Sequence, residues 1–229
     1  MYQNKRYELP ELLKANAYPG RGILMGMTPD GRILAGYFIM GRSQNSRNRV
    51  FIREGKELLI RPYDEALVAD PSLIIYRPVR EYGDQLIVTN GDQTDTIYEA
   101  LSQGGSFESA LRKRMFEPDA PNFTPRISGL MNINNGDFKL SILRASDARG
   151  SACDRLFYEY AALPGLGRFI HTYQADGNPL PSFYGEPAQV NIPDDVDAFG
   201  DAIWQALHPD NKIALYLRVA DQVTLFNRY

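Results

Sequence analysis

Four short polar islands stand among hydrophobic stretches: Gly20-Arg21-Gly22, Arg42-Ser43 with Arg47, the run Thr89-Asn90-Gly91-Asp92-Gln93-Thr94-Asp95, and Asn122 with Thr124-Pro125-Arg126. Each falls at the end of an expected strand or helix, where side chains from separate segments can converge. Between them they offer guanidinium groups, amides, hydroxyls and an acid. A guanidinium presents a planar fork of N–H donors that suits a phosphate. Amides and hydroxyls suit a heteroaromatic ring bearing carboxamide groups. The run 89–95 sits between an expected strand, Gln85–Val88, and a helix expected from Thr96 to about Gln103. A strand that enters a polar turn and then a helix leaves backbone N–H groups free at the helix N-terminus, a place to hold a phosphate or a polar ring. The same run also reads as a plain turn and cap, since Asn-Gly favours positive φ and Thr96 with Glu99 fits a capping box. Any one of the arginines also fits a surface ion pair; the four islands together argue for a site.

Other chemistries are missing from the sequence. The two histidines, His171 and His208, lie far apart, and with one cysteine, Cys153, no zinc-type ligand spacing and no intrachain disulfide arise. There is no Gly-x-Ser-x-Gly elbow and no GxxxxGK[ST] phosphate loop. Gly165-Leu166-Gly167 lacks the third glycine of a dinucleotide site. His171, in an apolar stretch, reads as a satisfied structural histidine, and Cys153 has no activating partner in view. A net charge of −3 over 229 residues does not favour nucleic-acid binding by charge. The single cysteine, the lack of a signal-like N-terminus and the lack of an apolar run of spanning length lead to a cytoplasmic protein that does not enter a membrane.

The elements that must position these islands are mostly hairpins. One short helical turn is expected at Leu9–Leu13. A hairpin joins Ile23–Met27 to Ile33–Met40 through Pro29-Asp30-Gly31, and its second strand, apolar on both faces, asks for a layer on each side. Residues 41–49 read as a polar loop with three arginines. Val50–Ile52 pairs with Leu58–Ile60, and Leu73–Val79 with Gln85–Val88. A second helix capped by Ser106 shows Phe107, Ala110, Leu111 and Met115 on one face. A hairpin spans Ile127 to Arg144 around Asn135-Gly136-Asp137. Phe157–Gln174 reads as strand interrupted by Pro164–Gly167. A third helix follows Pro193-Asp194-Asp195, and a last hairpin joins Ile213–Val219 to Val223–Phe226. Helices lie between blocks of strands instead of alternating with each strand, so the class is α+β, in one domain over residues 1–229.

In the order and approximate spacing of its polar residues, the chain resembles the archaeal-type inosine monophosphate (IMP) cyclohydrolase family. The resembling residues are Gly20-Arg21-Gly22, Arg42-Ser43 followed by Arg47, Tyr76, Asn90-Gly91 with Thr94-Asp95, and Glu117 followed by Asn122 and Thr124-Pro125-Arg126-Ile127. After about residue 145 the match is loose. The resemblance implies a four-layer αββα sandwich similar to the N-terminal nucleophile hydrolases. Those enzymes need Cys, Ser or Thr at a processed N-terminus, whereas Met1-Tyr2 offers no nucleophile, so the fold can be shared without the hydrolase chemistry.

The implied reaction is the last step of purine synthesis. The carboxamide nitrogen of 5-formamidoimidazole-4-carboxamide ribonucleotide attacks its formyl carbon, water leaves, and the ring closes to IMP. No cofactor and no metal are implied; the partners are the purine nucleotides and, in a homo-oligomer, further copies of the chain. Arg21, Arg42, Arg47 and Arg126 become candidates for phosphate or oxyanion binding. Ser43, Asn90, Gly91, Gln93, Thr94, Asn122 and Thr124 become candidates for the ribose or base. Tyr76 and Glu117 are the proton-transfer candidates, with Asp95 as an alternative acid. One position departs from the pattern: archaeal members carry histidine where Gln93 stands, and a glutamine cannot shuttle a proton at neutral pH. The stretch Tyr173–Gly185 can also reshape the pocket. Two other readings stay open, a purine-nucleotide binder without turnover and an amidohydrolase of the same fold acting on another substrate.

Overall fold

The computed structural model describes residues 5–67 and 76–229. The elements in chain order are α1 (Leu9–Ala15), β1 (Arg21–Met27), β2 (Ile33–Met40), α2 (Gln44–Arg47), β3 (Val50–Glu54), β4 (Glu57–Arg61), β5 (Val79–Tyr82), β6 (Gln85–Thr89), α3 (Gln93–Ser102), α4 (Phe107–Leu111), β7 (Arg126–Asn132), β8 (Phe138–Ala145), β9 (Cys153–Tyr160), β10 (Leu166–His171), β11 (Ala188–Asn191), α5 (Val196–Ala206), β12 (Lys212–Val219) and β13 (Gln222–Asn227). They build an α+β fold with two antiparallel sheets. Six strands run in the order β11-β10-β1-β2-β12-β13, and seven in the order β3-β4-β5-β6-β7-β8-β9.

Strand alternation sorts the apolar residues into three layers of packing. Ile23, Met25, Tyr37 and Ile39 of the first sheet meet Phe51, Val88, Ile127 and Leu140 of the second in the central core. Leu24, Phe38 and Leu217 point the other way, onto Leu9 and Leu13 of α1 and Phe199 and Ile203 of α5. Ile87, Leu130 and Leu143 pack on Ile97 of α3 and Phe107 and Leu111 of α4. β2 is buried at every residue because it carries a layer on each face, as its sequence asks. No helix among the described residues is long and apolar enough to cross a membrane.

Several elements differ from the sequence reading. The helix expected at Thr96 begins at Gln93, so Thr96 and Glu99 lie inside α3 and form no capping box. Its N-cap, Asp92, makes no side-chain cap because the carboxylate is engaged by Arg114 Nη2 and Arg126 Nη1, at 2.6 and 2.7 Å. α4 has its capping box from Ser106 and Ser109 but stops at Leu111. Past it Arg114 turns onto Asp92, and Met115 is exposed instead of sharing the buried face. Residues 44–47 of the expected loop form α2. Val79, not Leu73, opens the strand that pairs with β6; Leu73, Ile74 and Ile75 lie outside the described residues. The stretch after Phe157 belongs to two sheets: β9 is an edge of the seven-stranded sheet, and after the turn at Gly165 the chain enters the six-stranded one as β10.

Candidate functional site

Arg21 opens β1 on the same face as Ile23 and Met25, and so enters the space between the sheets. Thr172 fixes its backbone from both sides: Arg21 N donates to Thr172 Oγ1 (3.1 Å), and Thr172 N donates to Arg21 O (3.0 Å). Arg49 reaches the same space from the other sheet. It lies two residues before Phe51, on the inward side, and is fully buried. Its Nε donates to Ser46 O (2.7 Å). Its Nη1 and Nη2, and Nε of Arg21, are buried without a hydrogen-bond partner among the described residues. Burial and the nearby Arg21 charge both push the Arg49 pKa below the ordinary value. Burial works against the Arg21 charge as well, but Tyr173, Glu117, Tyr18 and Tyr76 around it outweigh that and hold its pKa high.

Two proton-bearing groups face these arginines. The Tyr76 hydroxyl lies 2.7 Å from that of Tyr37. Burial raises the Tyr76 pKa, with Arg21 and Arg49 pulling the other way. Glu117 is 4 % exposed, and burial raises its carboxyl pKa against the pull of Arg21, Arg126 and Arg49. Its backbone N donates to Thr124 O (2.9 Å), which ties it to the segment leading into β7. Thr124 Oγ1 lies 2.5 Å from Asp119 Oδ2 and 2.6 Å from the Tyr173 hydroxyl. The site thus draws on β1, the approach to β3, Tyr76, the segment 117–124 and Tyr173. Two neighbouring guanidinium groups with buried N–H left unpaired among the described residues call for an anion, because a buried unpaired charge costs on the order of several kcal/mol. A carboxyl biased toward its protonated form and a phenol beside it are groups with the chemistry to transfer a proton.

The run 89–95 is satisfied within itself and with β7. Asn90 Nδ2 donates to Pro125 O (2.9 Å), and Asn90 Oδ1 accepts from Ile127 N (2.8 Å) and Gln93 Nε2 (3.0 Å). Thr94 Oγ1 donates to Gly91 O (3.0 Å). Gln93, fully buried, accepts from Arg126 Nη1 at 2.7 Å and donates to Ile127 O at 3.2 Å. A Cβ on Gly91 would fall on Arg126 Nη1 and lie 2.6 Å from Gln93 Oε1, so this glycine makes room for the arginine. Gln93 therefore holds Arg126 in place, with Asn90 holding Gln93 and Gly91 leaving room for the guanidinium, while Thr94 closes the turn onto Gly91 O. Asn122 Oδ1 accepts from Leu180 N (3.0 Å) and pins the 174–187 loop.

Four expected residues lie apart from the cluster. Ser43 caps α2 in a box with Ser46. Arg47 is spent on Gly41 O (3.0 Å) and Asn211 Oδ1 (3.2 Å). Asp95 pairs with Arg80 at 2.9 Å. Arg42 stands at the rim, where it pairs with Asp176 (2.8 Å) and its guanidinium lies over the Tyr18 ring. Tyr18 in turn stacks on Tyr173. Sequence reasoning missed Arg49 and Tyr37, while Tyr173 opens the stretch expected to reshape the pocket. For Arg49 a signal existed: two-residue alternation back from Phe51 places it inward. Tyr37 looked like core. His171, away from the cluster, is the structural histidine expected, with Nδ1 2.8 Å from Tyr173 O between the rings of Phe169 and Phe183. Burial raises the pKa of the Cys153 thiol, which leaves it unreactive.

Residues 18–224 match the family described as IMP cyclohydrolase-like protein. An IMP cyclohydrolase of Methanopyrus kandleri is 29 % identical over 180 residues, 72 % of this chain and 89 % of that protein. One of Methanococcus aeolicus is 30 % identical over 162 residues, 69 % of this chain and 74 % of that protein. One of Methanocella arvoryzae is 32 % identical over 119 residues, half of this chain and 58 % of that protein. The matched span runs from Tyr18, ahead of the first arginine of the cluster, into the last strand, β13, and on that extent the chain belongs to the IMP cyclohydrolase-like family.

Proposed function

We propose that the chain is an IMP cyclohydrolase, closing 5-formamidoimidazole-4-carboxamide ribonucleotide to IMP with loss of water. The observation that carries this reading is the pair Arg21 and Arg49, with buried N–H groups unpaired among the described residues, beside Glu117 and Tyr76. An anionic nucleotide supplies what the arginines lack, either through its 5′-phosphate or through the oxyanion that develops on the formyl oxygen.

The reaction is intramolecular, so holding the formyl group in the reactive rotamer lowers much of the barrier. Carboxamide nitrogen then bonds to formyl carbon, and one of its protons passes to the formyl oxygen, giving a hydroxyl on a tetrahedral carbon. That hydroxyl leaves as water while the former formamido nitrogen gives up its proton and forms the ring double bond. Glu117, biased toward the acid, is suited to protonate the departing oxygen, and Tyr76 to exchange the nitrogen proton. Arg126, held by Asp92 and Gln93, and Arg42 at the rim are the remaining anion ligands in this reading. Asp95, Ser43 and Arg47 have no part in it, since their bonds are spent elsewhere.

The helices on both outer faces of the paired sheets support an αββα order like that of the N-terminal nucleophile hydrolases. A single domain, a homo-oligomeric state and a cytoplasmic place complete the proposal. The test adds purified protein to the formamido nucleotide and follows IMP by absorbance and chromatography, beside Arg21→Ala and Arg49→Met. Fast closure lost in both variants is expected. IMP binding without closure would move the reading to a nucleotide binder, and absence of both would overturn it.

A further inference from the structure

Tyr37 is out of place as a tyrosine. It lies mid-strand in β2, fully buried in the central core between the cross-strand neighbours Ile23 and Tyr216, with its ring stacked on Phe51. A phenylalanine would fill the same space without a hydroxyl to satisfy. The only hydrogen-bond partner of that hydroxyl among the described residues is the Tyr76 hydroxyl, 2.7 Å away. A buried donor left unpaired is costly; among the described residues the Tyr37 hydroxyl has this one partner, whereas Tyr76 also faces the Glu117 carboxyl, so the arrangement in which Tyr37 donates and Tyr76 accepts leaves neither proton stranded. The Tyr76 proton is then free to point away from Tyr37, toward Glu117 or a substrate acceptor, while the arginines face the phenol oxygen.

We propose that Tyr37 is the positioning residue of the site: its hydroxyl, anchored in the core, fixes the Tyr76 phenol by donating to it and leaves the Tyr76 proton directed at the substrate. The inference rests on the cyclohydrolase reading for the reaction that the proton serves. It is independent of that reading for the pair itself. When Tyr76 gives up its proton, the phenolate oxygen keeps the hydrogen bond from Tyr37 and faces two guanidinium charges; when it takes the proton back, nothing in the core has to move. The charged or titratable groups facing the pair are Arg21 from β1, Arg49 from the approach to β3, Glu117 from the segment after α4, and Tyr216 from β12. Of these Arg21 and Arg49 favour the phenolate, and Glu117, when ionised, opposes it.

The experiment uses the full chain and the variants Tyr37→Phe, Tyr76→Phe and the double variant. Tyr37→Phe keeps the ring and its stacking on Phe51, so it is expected to fold. Ring closure should fall about tenfold in kcat, with KM within about twofold. The limb of the pH profile that reports Tyr76 should move to higher pH, since the phenolate has lost a donor. The double variant should be no slower than Tyr76→Phe, because Tyr37 acts only through Tyr76. An unchanged kcat in Tyr37→Phe, or losses that multiply in the double variant, would overturn the proposal. Should the wild-type protein not close the ring, the cyclohydrolase reading fails by itself. The pair is then judged by ultraviolet titration of the phenols: one phenol ionising at higher pH in Tyr37→Phe upholds it, and coincident curves reject it.

Discussion

Gln93 Oε1 accepts a 2.7 Å hydrogen bond from Arg126 Nη1, and the other end of the same amide is held by Asn90 Oδ1 and Ile127 O. The amide cannot turn over without setting its NH2 against the guanidinium. Gln93→Met keeps the length and removes all three bonds. It should destabilise the fold by about 1–3 kcal/mol, read from urea midpoints. It should also lower ring closure through the loosened Arg126. Unchanged stability would mean that the buried amide is replaceable.

Gly91 separates the positioning of Arg126 from fold stability. It does not sit at positive φ, so the only objection to a side chain is the space taken by Arg126 and Gln93. Gly91→Ala should cost ring closure about tenfold or more by displacing the guanidinium. The accompanying loss of thermal stability should be that of a local shift. Full activity in this variant would show that Arg126 need not stand where it does.

Arg49 is the residue at which stability and binding pull apart. Its charge is buried with two nitrogens unpaired among the described residues, so Arg49→Met should leave stability unchanged or raise it by about 1 kcal/mol. The loss of the Nε bond to Ser46 O limits that gain. IMP affinity should fall by about 100-fold, as when one side of a buried charge contact is removed. Calorimetric titration with IMP and thermal melts of the two proteins check both halves. A variant that is less stable and binds as before would assign Arg49 to the fold.

Glu117 gives a pH signature whose sign follows from burial. Its folded-state pKa is raised from the ordinary 4.5, so the folded chain holds this proton where the unfolded chain has released it. Below 4.5 both states are protonated and no cost arises. As pH rises from there toward the raised value, stability falls, and above it the loss is constant. Glu117→Gln should remove this slope and be the more stable protein at neutral pH, while ring closure is lost. Urea midpoints across the acid range decide it; parallel curves for both proteins would refute the assignment.

His171 works in the opposite direction. Burial lowers its pKa from 6.5 to about 4, so on acidification the unfolded chain takes up this proton first. Stability should therefore fall as pH drops from 6.5 to about 4, by about 3 kcal/mol in all. His171→Gln, which can still donate to Tyr173 O, should flatten that part of the profile without touching ring closure. A flat profile in the unaltered protein would contradict the burial of a neutral imidazole.

The sequence made most hairpins readable because their turns carry Asp-Gly or Asn-Gly between apolar runs, as at residues 30–31 and 135–136, and because β2 is apolar on both faces. It did not reveal which sheet each strand would join. Pro164–Gly167 looked like a break within one strand, yet the chain leaves one sheet there and enters the other, a choice made by long-range packing. α3 begins three residues earlier than expected, and Asp92 ahead of it gives its carboxylate to two arginines, a partnership no local pattern displays. In the site, Arg21 and Arg126 stood out by type and position at element ends, while Tyr76 and Glu117 came into view only through the family resemblance. Arg49 hid among the arginines of a polar stretch, where only its register with Phe51 set it apart from Arg47. The hydroxyl of Tyr37 could not be told from that of any core tyrosine until its partner was in place.

The strand order of the six-stranded sheet also bears on how the chain survives its own synthesis. β1 and β2 are complete by residue 40, but their outer neighbours β10 and β12 begin at residues 166 and 212. Until Lys212–Val219 has emerged, the β2 edge that β12 will cover lies open, on a strand greasy on both faces. Such an edge invites pairing with other nascent chains. A chain cut short before Lys212 should accordingly collect in the insoluble fraction even though every arginine of the cluster has been made.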